Sequence, residues 1–433
     1  MKVLPLALLG ATLLAGCNSA PTSGSADTPA ASAATLLTPG PWRGELAIQG
    51  QQLPFLFEVK TEAGKPVVYL LNKGLNGEER LRCDQISAAG DSVTIRLHVF
   101  DAALIVREAG PGKLRGSWVK YDTKTPYRVP LAATAGAQPL FRGAADPRAS
   151  FTGTWQTEFK DESGAAYPAV GILKQNDSDV TGTFLTTTGD YRYLAGQTDG
   201  PKVRLTTFDG SHAFLFTGEL RTDPNDATKD TTTSISGDFY AGKSGHEKWL
   251  ATNNPAAKLP DADTLTYLKK GESRLNFKFP SVVKGGSISS TDPKYRGKVV
   301  VIQVLGSWCP NCMDETKFLA PWYEQNKARG VEVIGLGYER MPDYDQASAR
   351  LHQMKERLNV GYDLAVAGVS NKDSVAKSMP QLAKFLAFPT TIFLDKKGVV
   401  RSIHTGFSGP GTGKYYAEET AGFNRTVDKL LKE

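Results

Sequence analysis

The chain has 433 residues, 40% of them hydrophobic and 22% charged, with only four cysteines. At about 100–200 residues per domain, that length predicts two to four domains with enough apolar residue for packed cores, which excludes collagen, a wholly disordered chain and a disulfide-stapled mini-protein. The formal charge of +6 comes from 51 Lys and Arg against 45 Asp and Glu; no basic block is suited to gripping a phosphate backbone, so nucleic acid is not an expected partner.

Met1-Lys2 and the apolar run from Val3 to Gly16 read as the n-region and h-region of a secretory signal over residues 1–16. The run is too short to span a bilayer, which takes about 20 residues. Leu14-Ala15-Gly16-Cys17 resembles a bacterial lipobox, in which cleavage before the cysteine frees it for diacylation, so Cys17 is the expected lipidation site. Asn18, in the second mature position, resembles a signal for transfer to the outer membrane. Residues 17–40 thus comprise the lipidated cysteine and a flexible tether rich in Ser, Ala, Thr and Pro. The expected location is the bacterial cell envelope, as a lipoprotein facing the periplasm, on the outer membrane rather than the inner, in an oxidising space.

From Trp42 to about Trp249, short alternating runs such as Val93-Thr94-Ile95-Arg96-Leu97-His98-Val99 stand between Gly, Asp and Asn turns, the pattern of antiparallel strands. The stretch also repeats itself. Trp42-Arg43-Gly44 matches Phe151-Thr152-Gly153, Glu79-Arg80 matches Tyr191-Arg192, Leu97 with Phe100-Asp101 matches Leu205 with Phe208-Asp209, and Gly116-Ser117-Trp118 matches Gly237-Asp238-Phe239. These matches predict two tandem antiparallel all-β units, barrels or sandwiches, over residues 41–135 and 150–252. A linker over 253–275 follows. Cys83 lies in a strand-like run with Leu81 on the same face, and the repeat sets Ala195 opposite it, which predicts a small buried side chain. His98, His212 and His246 are scattered through these units and are assigned no metal.

Residues 276–433 change texture. Val299 to Leu305 is apolar except for Gln303, as in a strand buried on both faces. A helix from about Cys309 to Arg329, a strand from Val331 to Leu336, a helix from about Tyr344 to Leu358, strands at Thr390 to Leu394 and Val399 to His404, and a helix from about Ala417 to Leu431 complete an α/β pattern with a mixed sheet. With 22 basic and 16 acidic residues, this domain carries the net charge of the chain. The expected fold class is therefore multidomain: two tandem all-β units followed by an α/β domain.

Trp308-Cys309-Pro310-Asn311-Cys312 follows the buried strand and opens a helix, the context in which C-x-x-C reads as a redox motif. Cysteines at i and i+3 in a first turn share a face at about the 4.4–6.8 Å Cα separation that a disulfide tolerates. Cys309 meets the free N–H groups and positive dipole end of the helix, which favour thiolate, and is the expected attacking sulfur. Cys312, inside the helix, can resolve a mixed disulfide. Pro310 fits the first turn because its missing N–H has no partner to lose there. A zinc knuckle would need a second ligand pair, and His352 and His404 stand alone and far along the chain. A static structural disulfide more often joins distant elements. The glycine-rich Gly406 to Lys414 fails the phosphate-loop register at Ser408 and Tyr415, and Gly306 stands where a peroxiredoxin has Thr or Ser.

Gly297-Lys298-Val299-Val300-Val301-Ile302, Ser307-Trp308-Cys309-Pro310-Asn311-Cys312, Glu315, Phe388-Pro389-Thr390-Thr391 and Gly398, in that order and spacing, resemble the TlpA-like group of thioredoxin-fold, membrane-tethered thiol-disulfide oxidoreductases, over about residues 276–433. The resemblance implies that Pro389 is the cis-proline that faces the cysteine pair and presents backbone to an extended substrate, with Phe388, Trp308, Pro310 and Asn311 beside it. It implies that Glu315 assists proton transfer at Cys312; the residues alone also allow Glu315 merely to complement the helix dipole. It implies no cofactor beyond a redox-active Cys309–Cys312 disulfide, thiol- or disulfide-containing envelope proteins as partners, and a membrane-bound dithiol as electron donor. Two departures stand out. Gln303 occupies the place of thioredoxin's buried Asp and cannot take a proton, so Cys312 must use Glu315, water or the substrate. The Pro-Asn dipeptide matches neither thioredoxin's Gly-Pro nor the Glu-Pro usual among cytochrome-maturation members, which leaves the direction of electron flow open. The expected function is a lipid-anchored protein-disulfide reductase. The alternative is an envelope binding module in which the β units hold a glycan or protein and the thioredoxin-like domain is a scaffold.

Overall fold

The structure, a computed structural model, describes residues 36–433 apart from 124, 126, 142–145 and 222–232. The signal segment, Cys17 and nearly all of the tether lie outside the described residues. No helix among the described residues is long and apolar enough to cross a membrane.

Nine antiparallel strands from Gly40–Ile48 to Tyr127–Ala135 form the first sheet, in the spatial order fourth, third, second, first, ninth, eighth, seventh, sixth, fifth. This is an up-and-down meander in which the last strand returns to the first. Strands from Gly153–Asp161 to Gly245–Asn253 follow the same path. There Ala166–Asn176 also pairs with Asp179–Thr186, and Asp179–Thr186 with Leu194–Asp199, so eight strands close into a barrel with the two-residue strand Gly189–Asp190 as a spur.

The two copies align differently at their start than the sequence match suggests. Gly40 and Gly153 each open a first strand at positive φ, +124° and +156°, a conformation that L side chains rarely adopt. Two residues on, the Trp42 ring N–H donates to Thr38 O (2.9 Å) and the Trp155 ring N–H to Phe151 O (3.0 Å). Trp155, not Phe151, is the counterpart of Trp42; an aromatic followed two residues later by glycine had drawn the match four residues early. Gly116 and Gly237 do correspond. At each, a Cβ would lie within 2 Å of a carbonyl oxygen on the neighbouring strand (Ile105 at 1.9 Å, Thr217 at 1.8 Å), so both must be glycine.

Aromatic side chains fill the closed barrel: Phe159, Phe184, Phe216, Phe239 and Trp249 are buried together. Phe208, from the second sheet, packs instead against Phe55 (4.6 Å between ring centroids) and Trp118 (5.2 Å) of the first, joining the two units through apolar contact. Cys83 is fully buried, and burial pushes its thiol up to about 12, far from the range in which a thiolate forms at neutral pH.

A five-stranded mixed sheet follows, with Val299–Leu305 at its centre. Val331–Glu339 and then Asp363–Val369 lie parallel on one side, Thr390–Leu394 and then Val400–Thr405 antiparallel on the other. All seven residues of the central strand are buried. Val299, Val301 and Leu305 pack with Leu319 and Trp322 of the helix Pro310–Asn326 and with Val427 and Leu430 of the helix Lys414–Lys432. Val300, Ile302 and Val304 pack on the other face with Phe277, Tyr295 and Val375. Gln303 therefore points toward the helix that carries the cysteines. The strand Asp363–Val369 and the helix Lys372–Ser378 were not expected; one is rich in Ala and Gly, which are weak strand formers, and the other is two turns long.

Candidate active site

Cys309 is the N-cap of the helix Pro310–Asn326, and its Sγ accepts from the Cys312 N–H at 3.3 Å. That capping bond satisfies one of the helix's orphan donors and favours negative charge on the sulfur. Both thiols are free, Cys309 only 6% exposed and Cys312 fully buried. Burial, then the hydrogen bond and charge of Cys309, push the Cys312 thiol well above its ordinary value. The pair is asymmetric, with the Cys309 sulfur capping the helix and the Cys312 sulfur buried and held as thiol.

The Phe388–Pro389 bond is cis, and the Phe388 carbonyl stands 3.8 Å from Cys309 Sγ. Trp308 packs edge-on against Phe388 (5.7 Å), donates its ring N–H to Tyr338 O (2.9 Å) and carries the Arg340 guanidinium over its face at 4.7 Å. The structure thus brings Trp308, Phe388 and Pro389 to the Cys309 sulfur.

Glu315 is 2% exposed on the same helix, one turn past Cys312. One carboxyl oxygen accepts from Gln303 Nε2 (2.7 Å) and the other from the Thr391 hydroxyl. Burial raises the carboxyl to about 7, against the pull of those two donors. Gln303 also accepts from the Tyr362 hydroxyl (3.0 Å). Gln303 is therefore a holder of the acid; the buried carboxyl comes from the helix instead of the strand. Glu339, likewise raised to about 7 by burial, accepts from the Ser307 N–H and hydroxyl, both at 2.8 Å, and pins the loop before Trp308.

Sequence reasoning missed the wall facing this helix, which comes from the closed barrel. Arg192 forks onto Asp314, the residue between Met313 and Glu315, with Nε to Oδ2 at 2.7 Å and Nη2 to Oδ1 at 2.8 Å. It also reaches Glu79 of the first sheet (2.6 Å) and Asp209 (3.3 Å), while Lys317 binds Glu79 at 3.0 Å. Arg192 and its three acidic partners are all buried, and the two cations outweigh burial to hold Glu79 low. Arg192 also takes φ +57°, a conformation that costs a non-glycine residue about 1–3 kcal/mol unless its surroundings over-determine it. Asn311 donates to the carbonyl oxygen (3.1 Å) and carboxylate (3.2 Å) of Asp190, which in turn accepts from the Gly409 N–H at 2.8 Å. Ser211 donates its hydroxyl to Trp308 O at 2.9 Å. Beside these contacts lies a cavity of about 420 Å³, lined by Tyr167, Thr187, His212, Phe214, Asn311 and Leu386.

Residues 269–418 match the Redoxin family. The chain is similar to the thiol:disulfide interchange protein DsbE of Escherichia coli (strain K12), 25% identical over 174 residues that make up 37% of this chain and 78% of that protein. It is also similar to the thiol-disulfide oxidoreductase ResA of Geobacillus kaustophilus, 26% identical over 112 residues, which are 26% of this chain and 57% of that one. A crystal structure of a thioredoxin-family thiol:disulfide interchange protein from Chlorobium tepidum covers 38% of this chain and 98% of its own at 17% identity, with a TM-score of 0.29.

Proposed function

We propose that the chain, a thiol-disulfide oxidoreductase with a Redoxin-type thioredoxin-fold domain, reduces disulfides of bacterial envelope proteins and is held at the membrane by a lipid on Cys17. One observation carries the reading: Cys309 caps a helix with its sulfur beside the carbonyl of Phe388, the residue before Pro389, and the Cys312 thiol lies buried behind it. Cys309 attacks the substrate disulfide, and Cys312 resolves the mixed disulfide and frees the reduced substrate. Glu315 takes the Cys312 proton, for which a carboxyl raised to about 7 is well matched. Phe388 and Pro389 line up an extended substrate segment over the sulfur, with Trp308 packed beneath them. Asn311 and Pro310 bound the same site, Asn311 chiefly through its contacts to Asp190. No cofactor beyond the Cys309–Cys312 pair takes part, and a membrane-bound dithiol returns the pair to its reduced form.

Cys312→Ser in the intact cell leaves the first step and removes the second, so mixed disulfides on Cys309 accumulate and can be identified on non-reducing gels. A folded, exported variant that traps nothing would sink the reading. The direction of flow is read from the reduction potential of the purified chain. Reductase action requires a value well below that of a strong oxidant such as DsbA, about −120 mV; a potential near or above it reverses the assignment.

A further inference from the structure

Resting on disulfide exchange at Cys309 and Cys312, we propose that the proton of Glu315 comes and goes through the cavity beneath the C-terminal helix, and that His404 and Glu419 are positioning residues that control it. The sheet register sets up the path. Gln303 pairs with Thr391 and Thr391 with His404 across three neighbouring strands, and directly paired residues share a face. The result is a polar row under the redox helix, of which the first two members hold the two oxygens of Glu315. The third, His404, binds Asp263 through Nδ1 (2.7 Å) and Glu419 through Nε2 (2.9 Å).

A cavity of about 530 Å³ runs along this row, lined by Glu315, Thr391, His404, Phe407, Glu419 and Phe423. Its members grade from closed to open: Glu315 is 2% exposed and Thr391 3%, whereas the side chains of Glu419, His404 and Asp263 are 14%, 28% and 53% exposed. On the opposite side of Glu315, among the described residues, stand Cys312, the Gln303 amide and the buried hydroxyls of Tyr362 and Thr316. At the outer rim the remaining charged or titratable groups are Asp261, Glu418, Arg425 and Lys429, all exposed, and Tyr415. The hydroxyl of Thr391 and then the imidazole of His404, with Glu419 bound to it, line the cavity between the buried carboxyl and its rim.

The exchange cycle loads Glu315 with a proton. The Cys309 thiolate attacks a substrate disulfide; one substrate sulfur leaves as thiolate and the other stays bonded to Cys309. The Cys312 thiol then passes its proton to Glu315 and its sulfur attacks Cys309 Sγ. The mixed S–S bond breaks, and the second substrate sulfur departs with the electron pair. Two electrons have moved from the dithiol to the substrate, and one proton remains on Glu315; while the pair is oxidised that proton exchanges with water through the cavity, and Glu315 returns a proton to Cys312 when the membrane dithiol reduces the pair. On the substrate side the buried Asp190–Asn311 and Arg192–Asp314 contacts close the helix in; the cavity is the open side.

The two outer groups act on Glu315 with opposite signs. Asp263 and Glu419 together outweigh burial and keep His404 protonated, up to about 10. That cation lowers the Glu315 carboxyl while Glu419 raises it. His404→Gln therefore moves the pH profile of the resolving step to higher pH, and Glu419→Gln moves it to lower pH, each by at least about 0.5 pH unit. His404→Lys, which keeps the positive charge, restores the wild-type profile. The same shifts appear in the titration of the Glu315 carboxyl carbon by NMR of the full chain, with Glu315→Gln identifying the signal. Two variants that slow exchange equally at every pH, or shift both profiles in one direction, overturn the proposal. A wild-type chain without exchange activity overturns the functional reading instead, and the NMR titration still decides whether His404 and Glu419 govern Glu315.

Discussion

Arg192→Ala is expected to lower the stability of the chain by about 3–5 kcal/mol, because removing one partner of a buried ion network leaves the others uncompensated. Asp209 loses its cation, and Asp314 and Glu79 keep only Lys317, at 3.9 Å and 3.0 Å. Urea denaturation reads the loss directly. The same substitution loosens the barrel from the redox helix. Easing a local opening by even 1.4 kcal/mol makes it about tenfold more populated, so alkylation of Cys309, which is 6% exposed, should accelerate about tenfold. Arg192→Lys keeps the charge and loses the fork onto Asp314, and should fall between the two. Unchanged stability together with unchanged Cys309 reactivity would show that the network does not fasten the two parts.

Glu315→Gln is expected to slow resolution of the mixed disulfide by about 10²–10⁴-fold, the usual contribution of a positioned acid–base group, while attack by Cys309 proceeds. It should also change how stability depends on pH. The folded carboxyl sits at about 7, above its ordinary value of 4.5. Between those two values the native state holds a proton that the unfolded chain has released, so native stability falls as pH rises through that window. The group contributes on the order of 1.4 kcal/mol per pH unit there. Because glutamine does not titrate, the variant gains on the wild type from pH 5 to pH 7, and the difference levels off above. Urea midpoints measured in parallel across that range isolate this one group from Glu339 and Asp190, which burial also raises to about 7. Parallel curves would mean that Glu315 stays ionised in the folded chain.

The parts of this molecule legible in the sequence are those where chemistry and short-range pattern coincide. An apolar strand interrupted only by Gln303 and a C-x-x-C opening a helix are local signals, and Cys309 and Cys312 follow from them; Pro389 came from the family resemblance, since the residues alone said only that a strand begins there. Gln303 was visible but its part was not, since an amide holding a carboxyl one helix away is defined by the sheet beneath it. The row from Gln303 to His404 exists only once three strands take their registers. Arg192 and Asp314 are 122 residues apart, in units that read separately as β repeat and α/β domain, and no periodicity links them. Even within the repeat, the pairing of Trp42 with Trp155 was settled by a glycine at positive φ, a backbone property that an aromatic match cannot register.

Asn311 is one of the two residues between the cysteines, a place where sequence variation adjusts how readily the sulfurs give up electrons. In this chain its amide also grips the backbone and carboxylate of Asp190. Replacing the Pro-Asn pair with another dipeptide, the ordinary route to a more oxidising or more reducing enzyme, would here release a fastening point of the β units in the same stroke. Substitutions that retune the potential should succeed only when position 311 keeps a side chain able to donate to Asp190, so mutational freedom at this motif is narrower than in a bare redox domain.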